Sequence, residues 1–248
     1  MDNKSSYSSV EQLSHGTRLY VSDAHKFGTD AFLLAGFSAP RRKDVCCDLG
    51  SGCGIIPFIW CDAYKPKRIA AVELQEQGAQ LMRSSVALNG LEGIVTPIQA
   101  DLRELNGILE AGAYDVVSCN PPYKAVRTGI LSETKSDRIA RHETMCTAND
   151  VAKAASRLLR FGGRLCVCQR PERLCDVLEA MRQNGIEPKR VRFVQQRPDT
   201  APWLFLAEGK KGAKPFLQVE KPYLIEGAGG FSRELLDLYG KEDNLPAR

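Results

Sequence analysis

Short β-type runs of apolar residues alternate along this chain with helix-type segments. Four runs come first, at residues 44–49, 68–73, 95–100 and 114–119. A helix is expected from Ile55, with Pro57 in its first turn, where a missing N–H costs little. A second helix is expected over 74–88, stopped by Asn89-Gly90. The second half continues the pattern. It reads as a helix over 151–160 stopped by Phe161-Gly162-Gly163, a strand over 164–168, a helix over 173–183 stopped by Asn184-Gly185, and strands over 190–194 and 203–207. Strands alternating with helices of this length predict βαβ units and a mainly parallel sheet covered on both faces. One doubly wound α/β domain accounts for nearly everything from residue 40 to residue 210, with no internal repeat and no low-complexity linker.

Composition bounds this picture without changing it. The 248 residues are 43% hydrophobic and 26% charged, close to globular averages, which argues against a disordered or fibrous protein. The net charge of +4 permits an anionic partner such as RNA but is not the signature of a polybasic protein. The longest apolar run ends at Cys61 after starting at Ile55, far short of the about 20 residues of a spanning helix. Residues 1–10 are Ser-rich and lack the apolar core of a secretory signal, so they read as a frayed tail and the cytoplasm is the expected compartment. The nine cysteines show no C-x-x-C spacing and sit mostly in apolar runs, as small buried hydrophobes in a reducing compartment do. With only His15, His25 and His142 to help them, no metal site is expected.

Ligands of open α/β sheets bind beyond the carboxyl ends of the strands, at the switch point. The expected strand ends carry Asp48-Leu49-Gly50-Ser51-Gly52-Cys53-Gly54, then Glu73, then Asp101, then Asn120-Pro121-Pro122-Tyr123. The turn is G-x-G-x-G rather than G-x-G-x-x-G, and an acid precedes it. That suits a cationic ligand group and fits a pyrophosphate poorly. Glu73 either accepts from ribose hydroxyls or is an ordinary acid at a helix N-terminus. Asp101 either accepts from an adenine amine or caps a helix. The two prolines stiffen the last loop and strip it of N–H donors, leaving the Asn120 oxygen and backbone carbonyls as acceptors for a substrate –NH₂. Tyr123 offers a face on which a planar group can stack.

Taken together, residues 27–123 resemble the class I S-adenosylmethionine-dependent methyltransferases of the amino-methylating, N-P-P-Y kind. The segment Lys26-Phe27-Gly28-Thr29-Asp30-Ala31-Phe32-Leu33-Leu34-Ala35 resembles, more narrowly, the bacterial tRNA1(Val) adenine-N6-methyltransferase family. So do Arg141-His142-Glu143 and Phe231-Ser232-Arg233-Glu234-Leu235-Leu236, although Gly227 to Gly230 is unusually glycine-rich. The resemblance implies a Rossmann-like, doubly wound, mostly parallel seven-stranded sheet. Residues 1–39 would form a tail and a segment closing over the cofactor, and 40–248 the methyltransferase domain with a short C-terminal elaboration. It further implies that Asp48, Gly50 and Gly52 hold the methionine part of S-adenosylmethionine, Glu73 the ribose, and Asp101 with the Leu102 backbone the adenine. Phe27 and Thr29 belong to the closing segment, and Asn120 meets both cofactor and substrate. Asn120, Pro121 and Tyr123 would be catalytic, and Pro122, Tyr123, Lys124 and Arg141 would contact RNA.

The expected reaction is N6-methylation of the adenosine 3′ of the anticodon in valine tRNA. Alternatives are an rRNA amino-methyltransferase and a protein glutamine N5-methyltransferase. The latter usually carries a longer helical substrate domain before its glycine turn. From other classes, a non-catalytic RNA-binding module and a nicotinamide dehydrogenase fit these strand ends poorly. Positive charge gathers beyond residue 123: at Lys124, Arg127, Lys135, Arg138 and Arg141, then over 164–214, where 11 Lys/Arg face 6 Asp/Glu. RNA contact and a solvated face are equal readings of the second stretch. His142 suits a structural or substrate-positioning role better than general base, because the amine needs none. A monomer is expected, with a homodimer as the alternative.

Overall fold

The computed structural model describes residues 7–121 and 146–240. The chain opens with an antiparallel hairpin of β1 (Ser9–Gln12) and β2 (Arg18–Val21). The frayed tail expected through Val10 is therefore a strand from Ser9 onward. Pairing of Ser9 with Val21 and Val10 with Tyr20 occupies backbone groups that a tail would leave to water. Helix α1 (Thr29–Ser38) follows and is apolar almost all round, with Ala31 through Ala35, Phe37 and Ser38 buried. Such a helix must be covered on several sides. The sheet, the next helix and the C-terminal helix do this, and the last stacks Tyr239 on Phe32 at a ring separation of 4.2 Å.

The sheet then builds by right-and-left winding. In chain order come β3 (Val45–Leu49), α2 (Ile55–Ile59) continuing as a π turn over Trp60–Tyr64, β4 (Arg68–Glu73), α3 (Glu76–Asn89), β5 (Val95–Gln99), a 3-10 turn over Leu102–Glu104, and β6 (Tyr114–Cys119). The second half adds α4 (Ala148–Leu158), β7 (Leu159–Gln169), α5 (Leu174–Gln183), β8 (Ile186–Gln195) and β9 (Leu204–Lys211). Short strands β10 (Gln218–Val219) and β11 (Tyr223–Leu224) pair with β8. A hairpin of β12 (Glu226–Gly227) and β13 (Gly230–Phe231) leads into α6 (Arg233–Tyr239). The seven long strands lie in the order β5-β4-β3-β6-β7-β9-β8. All pairings along β5-β4-β3-β6-β7 are parallel, and β9 runs antiparallel to both neighbours. The chain thus winds one way from β3 to β5 and the other way from β6 on. That puts the switch point between β3 and β6.

One sequence expectation fails at β7. Phe161-Gly162-Gly163 is not a helix stop before a separate strand: α4 ends at Leu158 and the strand begins at Leu159. Tyr114 pairs with Leu159 and Val116 with Arg164, so residues 160–163 are extruded as a bulge. Gly162 at φ 76° lets the chain make that excursion.

Two apolar clusters, one per face, sandwich the sheet. One holds Leu33, Leu34, Phe58, Trp60, Met82 and Leu206; the other holds Val117, Leu158, Leu165, Met181 and Phe205. Strand β9 shows the logic, sending Leu204 and Leu206 to the first cluster and Phe205 and Ala207 to the second. Six cysteines, at 46, 47, 53, 119, 166 and 168, are buried in these clusters, and none of the nine is bridged. Buried Glu208 ties α1 to the sheet. It accepts from Arg164 at 2.7 Å and Arg190 at 3.0 Å, and these guanidinium groups also donate to the Ser38 and Phe37 carbonyls.

Candidate active site at the switch point

Past the end of β3 the chain turns through Gly50, Gly52 and Gly54, at φ 72°, 57° and 90°. A Cβ at Gly50 or Gly52 would meet no described atom within 4 Å, so there the glycine answers to backbone conformation. Gly54 also answers to packing, because a Cβ would stand 2.7 Å from Met82 Cγ. The turn is pinned to β4: Gly50 and Ser51 N–H both donate to the Val72 carbonyl at 2.9 Å, and Gly52 N–H donates to Glu73 Oε2 at 2.7 Å. Glu73 Oε1 accepts from Gln75 N–H at 2.8 Å. The buried Glu73 therefore organises both the glycine turn and the entry to α3, beside any contact it makes with a ligand.

Asp48, one residue before the end of β3, is 1% exposed. Burial pushes its carboxyl up to about 7, against hydrogen bonds from Ser118 and Ser51 that favour the charged form; the Glu73 charge pushes the same way as burial. A cationic ligand group would relieve that cost.

Asn120 follows β6 directly and faces this turn across the switch point. Its Nδ2 donates to Asp30 Oδ2 on α1 at 3.0 Å, and its Oδ1 accepts from the Cys168 thiol on β7 at 3.1 Å. Three separate chain segments thus converge on one amide. A cavity of about 220 Å³ lies among them. Asp48, Gly50, Gly52, Phe27 and Asn120 from the sequence reading all line it, together with Asp30 and His25.

Thr29, Asp101 and Leu102 are not among the residues that line this cavity. Thr29 accepts a hydrogen bond from Tyr239 at 3.2 Å, which fastens α1 to α6. Asp101 caps the 3-10 turn through Arg103 N–H at 2.9 Å and holds the Arg103 guanidinium. These bonds keep its carboxyl below the usual range. Leu102 begins that turn and packs on the second core cluster. Pro121 closes the described chain here. Pro122, Tyr123, Lys124, Arg141, His142 and the basic stretch at 124–145 lie outside the described residues.

Asp30, Ser118, Cys168 and His25 were not assigned site roles by sequence reasoning. Asp30 lay inside the quoted segment 26–35, but nothing local shows that it reaches across 90 positions to Asn120. His25 has Nδ1 3.3 Å from Ser22 Oγ, and its buried Nε2 has no partner among the described residues. The basic segment 164–214 is laced with ion pairs, some of them with more than half of the arginine side chain exposed. Arg164, Arg173, Arg182, Arg190, Arg192 and Arg197 all pair with carboxylates. Among the described residues, no three His, Cys, Asp or Glu side chains converge as a metal site, and no helix is long and apolar enough to cross a membrane.

Residues 18–184, which hold the glycine turn, the switch point and Asn120, match the family model of the methyltransferase small domain. The chain belongs to that family. It is 23% identical over 191 residues to a tRNA1(Val) (adenine(37)-N6)-methyltransferase of Porphyromonas gingivalis, covering 75% of this chain and 74% of that one. It is 29% identical over 163 residues to the enzyme of the same name from Erwinia tasmaniensis, covering 65% of each. Among solved structures, the fold is shared with a predicted O-methyltransferase from Agrobacterium tumefaciens at a TM-score of 0.69 and 20% identity, over 86% of this chain and 97% of that one. A geranyl diphosphate methyltransferase in complex with SAM shares it at a TM-score of 0.54 and 14% identity, over 73% and 84%. This methyltransferase small domain therefore carries its candidate site where its own switch point falls.

Proposed function

We propose that this methyltransferase uses S-adenosylmethionine to methylate N6 of adenine in tRNA, at the adenosine 3′ of the anticodon of valine tRNA. The observation that carries the proposal is the placement of the Asn120 amide in the same cavity as the Asp48 carboxylate and the open glycine turn. The names of the relatives at 23% and 29% identity support the choice of RNA.

The residues present suit this cofactor. A buried carboxylate with no ion pair among the described residues stands beside a turn where a Cβ on Gly50 or Gly52 would meet no described atom within 4 Å. Asp48 would face the ammonium, Glu73 the ribose hydroxyls, Asp101 and the Leu102 backbone the adenine, with Phe27 and Thr29 in the segment that closes over them. When bound, the cofactor supplies a methyl group on a sulfonium, already activated for displacement. The protein's own task is alignment and charge. An adenine amine is a poor nucleophile because its lone pair is delocalised into the ring. Asn120 Oδ1 and the Pro121 carbonyl accept hydrogen bonds from its two N–H groups, which favours tetrahedral nitrogen and stabilises the positive charge developing there; once the N–C bond has formed, one of these protons is lost to water. Pro122, Tyr123, Lys124 and Arg141 would hold the RNA. The proposed site needs no metal, and the enzyme acts as a cytoplasmic monomer in which residues 1–39 serve the cofactor and 40–248 form the catalytic domain.

The test is transfer of labelled methyl from S-adenosylmethionine to total RNA from a strain lacking this protein, with mapping of the labelled nucleotide. N6-methyladenosine at position 37 of valine tRNA is expected. Label in rRNA with none in tRNA, or no label in RNA at all, overturns the assignment.

A further inference from the structure

We infer that Asp30 is a positioning residue for this reaction, which locks the Asn120 amide in one of its two orientations and charges its oxygen for the incoming amine. The inference rests on the reading of Asn120 as the amine acceptor.

An asparagine amide can be turned by 180° with almost no change of shape, and then presents NH₂ where an acceptor is needed. Only its partners choose. Two described partners of Asn120 set the choice. Asp30 Oδ2, at 3.0 Å from Nδ2, is an acceptor, so the NH₂ group must face α1. The Cys168 thiol, at 3.1 Å from Oδ1, is the donor on the other side. The Asp30 contact fixes the orientation, and the thiol, which can donate or accept, fits it by donating to Oδ1, the acceptor end of the amide. A thiol is a weak donor and withdraws little from that oxygen. The bond to Asp30 is charge-assisted and acts the opposite way, drawing positive character to Nδ2 and leaving Oδ1 more negative. The carboxylate also sets a negative charge behind the amide, on which the developing positive nitrogen will bear.

Asp30 is well placed to hold that position. It is the second residue of α1, a helix anchored at its start by Tyr239 on Thr29 and at its end by Arg190 on the Phe37 carbonyl. Its other oxygen rests against Gly28, where an added Cβ would stand 2.8 Å from Asp30 Oδ1. Gly28→Ala therefore moves the carboxylate without altering its chemistry, and gives a second handle on the same contact.

The experiment uses the full chain. In ¹⁵N-labelled protein the Asn120 side-chain NH₂ pair, assigned by its loss in Asn120→Asp, is expected to show one proton shifted downfield, and the shift to disappear in Asp30→Ala. With RNA substrate, Asp30→Asn is expected to lower kcat by about tenfold or more, against about a hundredfold for loss of the amide itself. KM for RNA and the calorimetric Kd for S-adenosylmethionine should stay within about threefold, less than the 1.4 kcal/mol that a factor of ten represents. Gly28→Ala should fall between wild type and Asp30→Asn, and Asp30→Glu should recover part of the lost kcat. An Asn120 resonance unmoved in Asp30→Ala overturns this inference alone. So does a normal kcat in both Asp30→Asn and Gly28→Ala. A wild-type protein that binds S-adenosylmethionine but methylates no RNA overturns the proposed function, and with it the catalytic half of this inference.

Discussion

The Ser118 hydroxyl donates to the Asp48 carboxylate across the sheet, between two residues that are direct partners in the parallel register of β3 and β6. This bond crosses the switch point. From one side of the topology it partly offsets the burial that raises the carboxyl on the other side.

Burial of Asp48, only partly offset by this bond, gives ligand binding a pH dependence. Asp48 ionises near pH 7 in the folded protein instead of near 3.8. Between those values the folded protein holds a proton that the unfolded chain has lost. The stability of the free protein therefore falls as pH rises through this window, and the penalty is fully present above 7. A cationic ligand needs the charged form, so affinity for S-adenosylmethionine should move the other way. It should weaken by up to about tenfold per unit as pH drops below about 7. Calorimetry from pH 5.5 to 8 checks this, with Asp48→Asn expected to bind weakly at every pH. A flat wild-type profile would remove Asp48 from the ligand contact. Ser118→Ala should move the wild-type midpoint upward.

Gly78 on α3 is a second test of the cradle. A Cβ there would stand 2.8 Å from the Gly52 carbonyl, 2.9 Å from Glu73 Cγ and 3.0 Å from His25 Nε2. Gly78→Ala should therefore push the glycine turn and Glu73 apart, costing about 1–3 kcal/mol of overpacking. The helix propensity of alanine recovers at most about 1 kcal/mol of that. Urea unfolding and S-adenosylmethionine affinity should both be impaired. A variant more stable than wild type with intact affinity would show that α3 has room to retreat.

Asn120→Ala should lower turnover with RNA by roughly two or more powers of ten, the scale of losing one preorganised group. Cofactor affinity should stay nearly intact, because Asp48 and the glycine turn remain. Asn120→Asp keeps acceptors but places a second carboxylate beside Asp30, so partial activity at best is expected. Near-normal single-turnover rates in Asn120→Ala would refute the role given to the amide.

Glu208 holds α1 against the sheet from the far side of the same helix. Burial alone would raise its carboxyl, but the bonds and charges of Arg190 and Arg164 hold it below the ordinary 4.5. Its contribution is thus present above about pH 4.5 and lost as pH falls through the lower folded value. Glu208→Ala leaves two partly buried guanidinium groups facing each other and should cost about 3–5 kcal/mol. Denaturant titration at pH 7 measures it. A loss under about 1 kcal/mol would mean that α1 is held by apolar packing alone.

The strands were legible because buried parallel strands write themselves as continuous apolar runs. Residues 68–73 and 114–119 were bounded by sequence as the structure bounds them. The glycine turn was legible because its conformation admits few residues other than glycine. Residues 160–163 misled, since Gly162-Gly163 marks a bulge and a helix stop with the same letters. The pairing of the arginines in 164–214 was also hidden. Their partners include Glu220, Glu226 and Glu234, which stand beyond the segment.

By itself the sequence determined the α/β class, the order of the strand ends, and the acids and amide that stand there. All of these follow from local patterns, since side-chain periodicity and turn conformation act over a few residues. Only the tertiary structure decided which strand ends meet and how each polar group is used. It brought Asp30 to Asn120 across 90 positions and Ser118 to Asp48 across 70. It also gave Glu73 to the glycine turn. Hydrogen bonds and desolvation act through space at a few ångströms, and no spacing along the chain encodes that distance.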